Sequence, residues 1–235
     1  MTALDELLTD DTALLTELHH KVMAAGTPAA AAATYLVGWY GGSLARIVGT
    51  SLAVDRAGLL VDRSTVSFQI HPDGWPERVD PGPRPVVVGC APADIRRAVE
   101  ALVECCGPLV SACRSLASVG RVGLWNEIGD KLAMALAYQV QVPVTPAMVE
   151  LLDAAWSVPG APWRAKPRLA FTRSTVLGDV HVAQKGGCCL SYTAPTAAEP
   201  LYCEHCPFKA AVECDAAQVA WLEQEHARAG GRSVA

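Results

Sequence analysis

Apolar residues recur at helical spacing along the first part of the chain, and they predict two helices. The recurring positions of the first helix are Leu4, Leu7, Leu8, Leu14, Leu15, Leu18 and Val22. Spacings of three and four residues are typical of the buried face of a helix. Thr2 is the predicted N-cap, with Asp5 three residues on, and Gly26 and Pro28 are predicted to end the helix. A second, alanine-rich helix is expected over about 29–45.

The middle of the chain alternates apolar and polar residues over a short stretch. Val66, Phe68 and Ile70 are apolar, with polar residues between them, which predicts a strand with one buried face. Turn-forming residues follow at 71–74. The stretch 84–89 is the predicted partner strand, so the sequence indicates a short β-hairpin.

Three further helices are predicted after these strands. Pro92 opens the first, which we expect to be kinked or broken at Gly107-Pro108. The second covers 121–139, where apolar residues again follow helical spacing. The third starts at Thr145-Pro146 and ends before Pro159-Gly160.

The character of the sequence changes after residue 160, where basic residues appear and helix signals become few. Residues 176–184 have a strand pattern, and residues 210–229 are predicted to form a closing helix. We therefore predict an α+β fold with two parts. The first is a helix-rich main domain over 1–160, with a short β-hairpin near 65–90. The second is a small cysteine-bearing lobe over 161–235.

Composition and charge narrow the function classes. Hydrophobic residues make up 51% of the chain and charged residues 18%, which is enough apolar material for a conventional core and excludes intrinsic disorder. The formal net charge is -5, and no basic stripe with interleaved aromatics is present, so we expect no nucleic-acid partner. Phosphate-binding glycine loops and serine-nucleophile motifs are also missing from the sequence.

The uncharged stretch 22–45 is long enough to cross a bilayer, but it is rich in alanine and contains Pro28 and several glycines. We expect a buried helical region there and no membrane span. The N-terminus has neither the basic nor the apolar part of a signal peptide. Together with the odd count of nine cysteines, this predicts reduced thiols in the cytoplasm.

Four of the cysteines form a compact motif near the C-terminus. Cys188 and Cys189 are adjacent, thirteen residues follow, and then comes Cys203-Glu204-His205-Cys206-Pro207. A C-x2-C pair on a turn points two thiolates at one centre. Adjacent residues of a strand point to opposite faces, so the backbone must bend at the first pair, and Gly186-Gly187 permits such a bend. Residue chemistry alone leaves an all-cysteine zinc site and a [2Fe–2S] cluster equally open.

The motif Cys188-Cys189-Leu190-Ser191-Tyr192, followed by Cys203-Glu204-His205-Cys206-Pro207, resembles the C-terminal signature of the FhuF-type ferric siderophore reductases. The strong part of the resemblance covers about twenty residues. A helical segment containing Leu124-Trp125-Asn126-Glu127 is similar to a Leu-Trp segment of the same family, although the family's glycine is missing here. The gap between the two cysteine pairs is also longer than is typical of the family.

The resemblance implies that Cys188, Cys189, Cys203 and Cys206 bind a [2Fe–2S] cluster, with zinc as the alternative. It implies a cytoplasmic oxidoreductase that reduces siderophore-bound Fe(III) by one electron. The electron donor would be a ferredoxin, a flavodoxin or a flavin reductase, and peripheral contact with an inner-membrane siderophore transporter is compatible with this role. Two other functions stay open: an iron–sulfur electron carrier or redox sensor without siderophore turnover, and a zinc-stabilised binding module.

Other residues have less specific interpretations. The local basic candidates, which would raise the potential of a cluster or form a solvated basic face, are Arg164, Lys166, Arg168, Arg173 and Lys185. The remaining cysteines are expected to be buried core or helix thiols, with Cys214 as an alternative ligand, and they are Cys90, Cys105, Cys106, Cys113 and Cys214. His205 is expected to support the site from behind its ligands or to lie exposed. His19, His20 and His71 are expected at surface or turn positions.

Overall fold

The chain has an α+β fold, as predicted. The structure is a computed structural model, and it describes residues 1–8, 13–82, 86–137, 143–193 and 202–231. The helices are α1 (Leu4–Leu7), α2 (Ala13–Ala24), α3 (Ala29–Leu36), α4 (Gly42–Thr50), α5 (Pro92–Leu116), α6 (Arg121–Ala133), α7 (Pro146–Trp156) and α8 (Ala211–Gly231). The strands are β1 (Thr2–Ala3), β2 (Gly58–Leu60), β3 (Ser67–Ile70), β4 (Pro76–Asp80), β5 (Val86–Val88), β6 (Arg168–Ser174) and β7 (Gly178–Gln184).

The N-terminal helix begins differently from the prediction. Thr2 lies in β1, paired with Phe68 of β3, and Ala3 is the residue before the first turn of α1. The Ala3 amide donates to the Glu6 carboxylate (3.0 Å). The predicted cap at Thr2 is therefore wrong, because strand pairing uses this residue instead. The single predicted helix is in fact two, because α1 ends at Leu7 and α2 covers Ala13–Ala24. The predicted end before Gly26 is confirmed.

The alanine-rich segment is helical and buried. It consists of α3 and α4, joined by a π-helical turn at Val37–Gly41, and a second π-helical turn at Ser51–Asp55 follows α4. The side chains of Ala31, Ala32 and Ala33 are fully buried. None of the helices in the described ranges is long and apolar enough to cross a membrane.

The strand partners differ from those predicted. β3 forms a hairpin with β4, in which Phe68 lies opposite Val79, and the His71 amide donates to the Trp75 carbonyl across the turn (2.8 Å). β5 pairs with β2 in a separate two-stranded sheet. The hairpin near 65–90 thus exists over 67–80, but its second strand is β4, because a short turn brings consecutive strands together first.

Helix α5 runs through Gly107-Pro108 to Leu116 without ending, so the predicted break is wrong there. α6 ends at Ala133, and the predicted continuation to 139 falls partly on 138–142, outside the described residues. The starts of α7 and α8 agree with the sequence prediction.

The larger of two hydrophobic clusters in the described residues holds most of the helices together. Trp125, Tyr40 and Phe68 are its largest fully buried side chains. Tyr40 packs edge-on against Phe68 at 5.0 Å and donates its hydroxyl to the Gly74 carbonyl (2.8 Å). After residue 160, β6 and β7 form an antiparallel pair, and α8 packs against β7. This second part brings the cysteine segments to the face of α6.

Candidate functional site

The two cysteine segments meet in space. Cys188 and Cys189 follow the end of β7, and Cys203 and Cys206 lie on the turn before α8. The Cys189 and Cys203 thiols are close enough for each to shift the pKa of the other, so the two segments meet at this pair. Cys206 is close enough to Cys188 and Cys203 to affect the charge on each. All four are free thiols.

The end of β7 holds the second cysteine pair in place. The Cys206 amide donates to the Cys203 carbonyl (3.1 Å), which closes the C-x2-C turn. The Lys185 amide donates to the His205 carbonyl (3.0 Å), and the Gln184 side chain donates to the Cys206 carbonyl (2.8 Å). These bonds fix the turn against a strand, so its two thiols have defined positions.

The bend at the adjacent pair lies after it, at Leu190. Leu190 has a φ of 61°, a left-handed conformation that is uncommon for a residue with a Cβ. Gly186 and Gly187, which were expected to supply the bend, have no positive φ. They are required for a different reason: a Cβ on Gly187 would lie 2.6 Å from the Cβ of Asn126, and one on Gly186 would lie 2.1 Å from the Ala165 carbonyl oxygen.

Three neighbouring polar residues of α6 anchor the cysteine-bearing part. Asp130 is fully buried and accepts the amides of Gly186 and Gly187 (2.9 Å each). Asn126 accepts the Arg164 amide (2.8 Å) with its side-chain oxygen. The role of Asp130 was not predicted from the sequence. Its position with Glu127 on an otherwise apolar helix was the available signal, because buried carboxylates need hydrogen-bond partners.

Glu127 and Lys185 form a buried ion pair beside the cysteines. The Lys185 ammonium lies 2.6 and 2.5 Å from the two Glu127 oxygens, and the side chains are 8% and 4% exposed. Burial raises the pKa of Glu127 and of Asp130, the latter to about 7. Burial disfavours charge on Lys185, but Glu127 and Cys189 outweigh it and raise the Lys185 pKa. Lys185 therefore stays charged next to the thiols, and its predicted alternative, a solvated basic face, is wrong.

The Cys189 sulfur lies beside the Cys203 thiol and beside the hydroxyl and amide of Ser191. The contact with Cys203, the charge of Lys185 and the Ser191 donors lower the pKa of Cys189, against the effect of burial. The same contact raises the pKa of Cys203. The two thiols therefore titrate as a pair, and the nearby charge of Lys185 favours the loss of their first proton.

Aromatic side chains also join the two segments. The Tyr192 ring, from the first segment, lies 5.9 Å from the ring of Tyr202 and 5.8 Å from the ring of Phe208. Both partners belong to the second segment, one on each side of the C-x2-C turn. These ring contacts hold the two cysteine segments together.

A cleft of about 420 Å³ opens beside Cys189 and Cys203. Its other walls come from α3, the first π-helical turn, α6 and the C-x2-C turn, and they include Tyr35, Trp39, Lys131, Lys185 and His205. A π-helical turn is often found at functional sites, and here it supplies Gly38 and Trp39 to the wall. A molecule in the cleft would lie against Cys189 and Cys203.

The remaining predicted residues lie elsewhere or have partners. Lys166, Arg168 and Arg173 pair with Asp153, Asp215 and Asp179, and Arg164 donates to the Ala161 and Trp163 carbonyls. Cys105, Cys106, Cys113 and Cys214 are buried as expected, whereas Cys90 is half-buried. His205 lies half-buried, with Nδ1 2.8 Å from the Ala183 carbonyl. His19 is wrongly predicted as a surface residue: it is 3% exposed and its Nε2 lies 2.9 Å from the Ala29 carbonyl.

The four cysteines of the motif were predicted to hold either a [2Fe–2S] cluster or a zinc ion. Within the described ranges, no three His, Cys, Asp or Glu side chains surround a common point as ligands of a single metal ion would. The geometry of the described side chains therefore indicates neither a zinc ion nor a cluster. Four free thiols, two on each segment, are donors that both groups accept, four at one zinc ion or two at each iron of a [2Fe–2S] cluster. The residues thus match both groups in the chemistry of their donor atoms.

Comparisons with known proteins add no relative. No protein-family model, curated protein or solved structure matches the chain. The residues of the site are therefore the basis for assigning a function.

Proposed function

We propose that this protein is a [2Fe–2S] ferric siderophore reductase with Cys188, Cys189, Cys203 and Cys206 as cluster ligands. The observation that supports it best is the contact between Cys189 and Cys203, since it places thiols of both segments at the wall of a cleft. The resemblance of the motif to FhuF-type reductases supports the same function.

The chemistry of the substrate explains why one electron is enough. Siderophores hold Fe(III) through hard oxygen donors and hold Fe(II) much more weakly. A bound [2Fe–2S] cluster supplies electrons singly. Each electron that reaches the substrate converts one Fe(III) to Fe(II), and the iron is then released from its chelate.

The surrounding residues favour this electron transfer in two ways. Lys185 is a positive charge next to negatively charged thiolates, and the donors of Ser191 reach the Cys189 sulfur. Both effects stabilise added negative charge and raise a reduction potential. The cleft brings a bound chelate to the sulfurs, so no general base or nucleophile is needed.

The reaction also requires an external reductant. A ferredoxin, a flavodoxin or a flavin reductase would supply one electron per turnover, and each electron would leave with one Fe(II). We place the reaction in the cytoplasm, where peripheral contact with an inner-membrane siderophore transporter would deliver the substrate.

The test is a spectrum of anaerobically purified protein together with iron and sulfide analysis. We expect visible absorption that bleaches on reduction, equal amounts of iron and sulfide, and re-oxidation of the reduced protein by a ferric siderophore. Cys206→Ser should lose or shift the spectrum. Cys90→Ser is the matched control, since Cys90 lies outside the cysteine group and is half-buried, and it should leave the spectrum unchanged.

The other functions give different results in the same test. Bound zinc without visible absorption would contradict the proposal and favour a zinc-stabilised module. A cluster that no ferric siderophore re-oxidises would favour an electron carrier or a redox sensor.

A further inference from the structure

The cleft beside the cysteine motif reaches two of its four thiols. Among the described residues that line the cleft, the cysteines are Cys189 and Cys203. Cys203 is half-buried and Cys189 is 8% exposed. Cys206, by contrast, is 2% exposed and is not among the described residues of the walls. A small molecule that enters the cleft therefore meets one thiol from each cysteine segment.

These two thiols also lie against each other. Their contact lowers the pKa of Cys189 and raises that of Cys203, and it is the largest single influence on each. Cys206 raises the Cys203 pKa through its charge, and Cys189 raises the Cys188 pKa in the same way. The direct thiol contact therefore joins the two segments, and it does not lie within the C-x2-C turn or within the adjacent pair.

Packing keeps the two segments side by side. The Tyr192 ring, three residues after Cys189, lies 5.9 Å from the ring of Tyr202, which directly precedes Cys203. A backbone hydrogen bond of 3.0 Å also attaches the C-x2-C turn to the residue that follows β7. Because both segments are held at the end of the same strand, their two sulfurs are positioned to react with each other.

We infer that Cys189 and Cys203 form a peroxide-sensitive pair, which closes to a disulfide in the cluster-free protein. Hydrogen peroxide oxidises one thiol to a sulfenic acid and leaves as water, and the second thiol then displaces another water to form the S–S bond. Two electrons pass from the two sulfurs to the peroxide. Disulfides of cytosolic proteins are typically transient and redox-sensing, as this one would be.

The disulfide would prevent the site from holding a cluster. It removes one thiol from each segment and leaves Cys188 and Cys206, whereas a [2Fe–2S] cluster takes two thiolates at each iron. Reduction by a dithiol would restore all four donors. The formation of the bond does not depend on the proposed function, but its effect on iron uptake rests on that function.

Peptide mapping identifies the bond, because the sequence has protease sites between the cysteines. Chymotrypsin cuts after Tyr192 and Tyr202, and a glutamate-specific protease cuts after Glu204, so the adjacent pair, Cys203 and Cys206 fall in three separate peptides. Full-length, cluster-free protein is treated with stoichiometric hydrogen peroxide, its remaining thiols are alkylated, and the peptides are analysed by mass spectrometry. We expect the peptide of Cys203 to be linked to that of the adjacent pair, with two of the nine thiols lost.

Matched variants assign the bond within the adjacent pair. Cys189→Ser should abolish the link. Cys188→Ser is the control, because it removes the neighbouring thiol and should keep the link. In anaerobic reconstitution, the oxidised wild type should take up at least about fivefold less iron than the reduced protein, and dithiothreitol should restore the uptake.

A link between Cys203 and Cys206, no link at all, or a link that is lost in Cys188→Ser and kept in Cys189→Ser would overturn this inference. Undiminished iron uptake by the linked protein would overturn it as well. Failure of the proposed function gives a different result. A protein that has the cluster spectrum and reduces ferric siderophores but forms no link would keep the function and lose the inference. A protein that forms the link but never holds a cluster would keep the oxidation site and lose the function.

Discussion

The charges nearest the candidate ligands come from residues far apart in sequence. Glu127 lies on α6 and Lys185 follows β7, and they are 58 residues apart along the chain. Their mutual attraction offsets the cost of burying two charges. Because they lie beside Cys189, the pair also determines the electrostatic potential at the cysteines.

The variant Glu127→Gln should raise the midpoint potential of the bound cluster. It removes a negative charge of nearly the same shape and leaves Lys185 unneutralised, so the reduced, more negative state is stabilised. We expect a rise on the order of 50 mV, measured by redox titration of the visible spectrum. Glu17→Gln on the exposed face of α2 is the control. An unchanged or lower potential would show that the pair does not act on the cluster.

His181 is a buried side chain whose protonation opposes folding. It is 4% exposed, lies across from Phe171 in the β6–β7 pair, and neither ring nitrogen has a hydrogen-bond partner in the described ranges. Burial lowers its pKa from 6.5 to about 4. The unfolded chain therefore binds a proton between these values that the folded protein does not bind.

From this we predict that His181 removes about 3 kcal/mol of stability as the pH falls from about 6.5 to 4. Above pH 6.5 His181 is neutral in both states and contributes no pH dependence. Asp130, whose pKa is raised to about 7, acts in the opposite direction over this range, so the effect of His181 is measured as a difference between variants. In urea unfolding at pH 7, 6 and 5, His181→Phe should keep more of its pH 7 stability than wild type. His20→Gln, at an exposed position of α2, should follow the wild-type profile; if His181→Phe does too, the assignment is wrong.

At the scale of elements, helix α6 packs against the segment after β7. The packing requires the backbone of that segment to lie close to side chains of α6. Asp130 accepts two amides of that segment, and Gly187 lies directly against Asn126. This contact keeps the strand β7 and both cysteine segments on the main core.

Gly187→Ala should therefore disrupt the site. The added methyl would lie 2.6 Å from the Asn126 Cβ, and relief of this clash moves the backbone and costs about 1–3 kcal/mol. We expect a lower urea midpoint and less iron per protein after anaerobic reconstitution. Gly123→Ala on α6 is the matched control, since its Cβ would meet nothing within 4 Å and it should stabilise the helix slightly. Normal iron content in Gly187→Ala would contradict this account.

Elements were predicted well where the signal is local. α7 and α8 begin where proline and spacing indicate, and β3 follows its alternating pattern. Strand partners were predicted less well: β5 was expected beside β3 but pairs with β2. Alternation identifies a strand, whereas its partner depends on which other strand the chain brings within hydrogen-bonding distance.

For the molecule as a whole, a bound cluster should stabilise the fold. A cluster would bind to the assembled cysteines and not to the unfolded chain, so its binding energy would add to the free energy of unfolding. We expect the iron-loaded protein to melt roughly 5 °C or more above the chelator-treated protein, by anaerobic scanning calorimetry. Cys206→Ser should show no difference between the two treatments. Equal melting temperatures in wild type would indicate that no cluster joins the two segments.

The sequence by itself determined the α+β class, most helix boundaries and the four cysteines as a candidate site, because each of these depends on neighbouring residues. Only the tertiary structure decided that Cys189 meets Cys203, that Asp130 holds Gly186 and Gly187, and that Glu127 pairs with Lys185. Cys189 and Cys203 are 14 positions apart along the chain. Asp130 and Gly186 are 56 apart, and Glu127 and Lys185 are 58 apart. These contacts form only when α6, β7 and the turn before α8 pack against one another. The periodicity of apolar residues indicates each element but not how the elements pack.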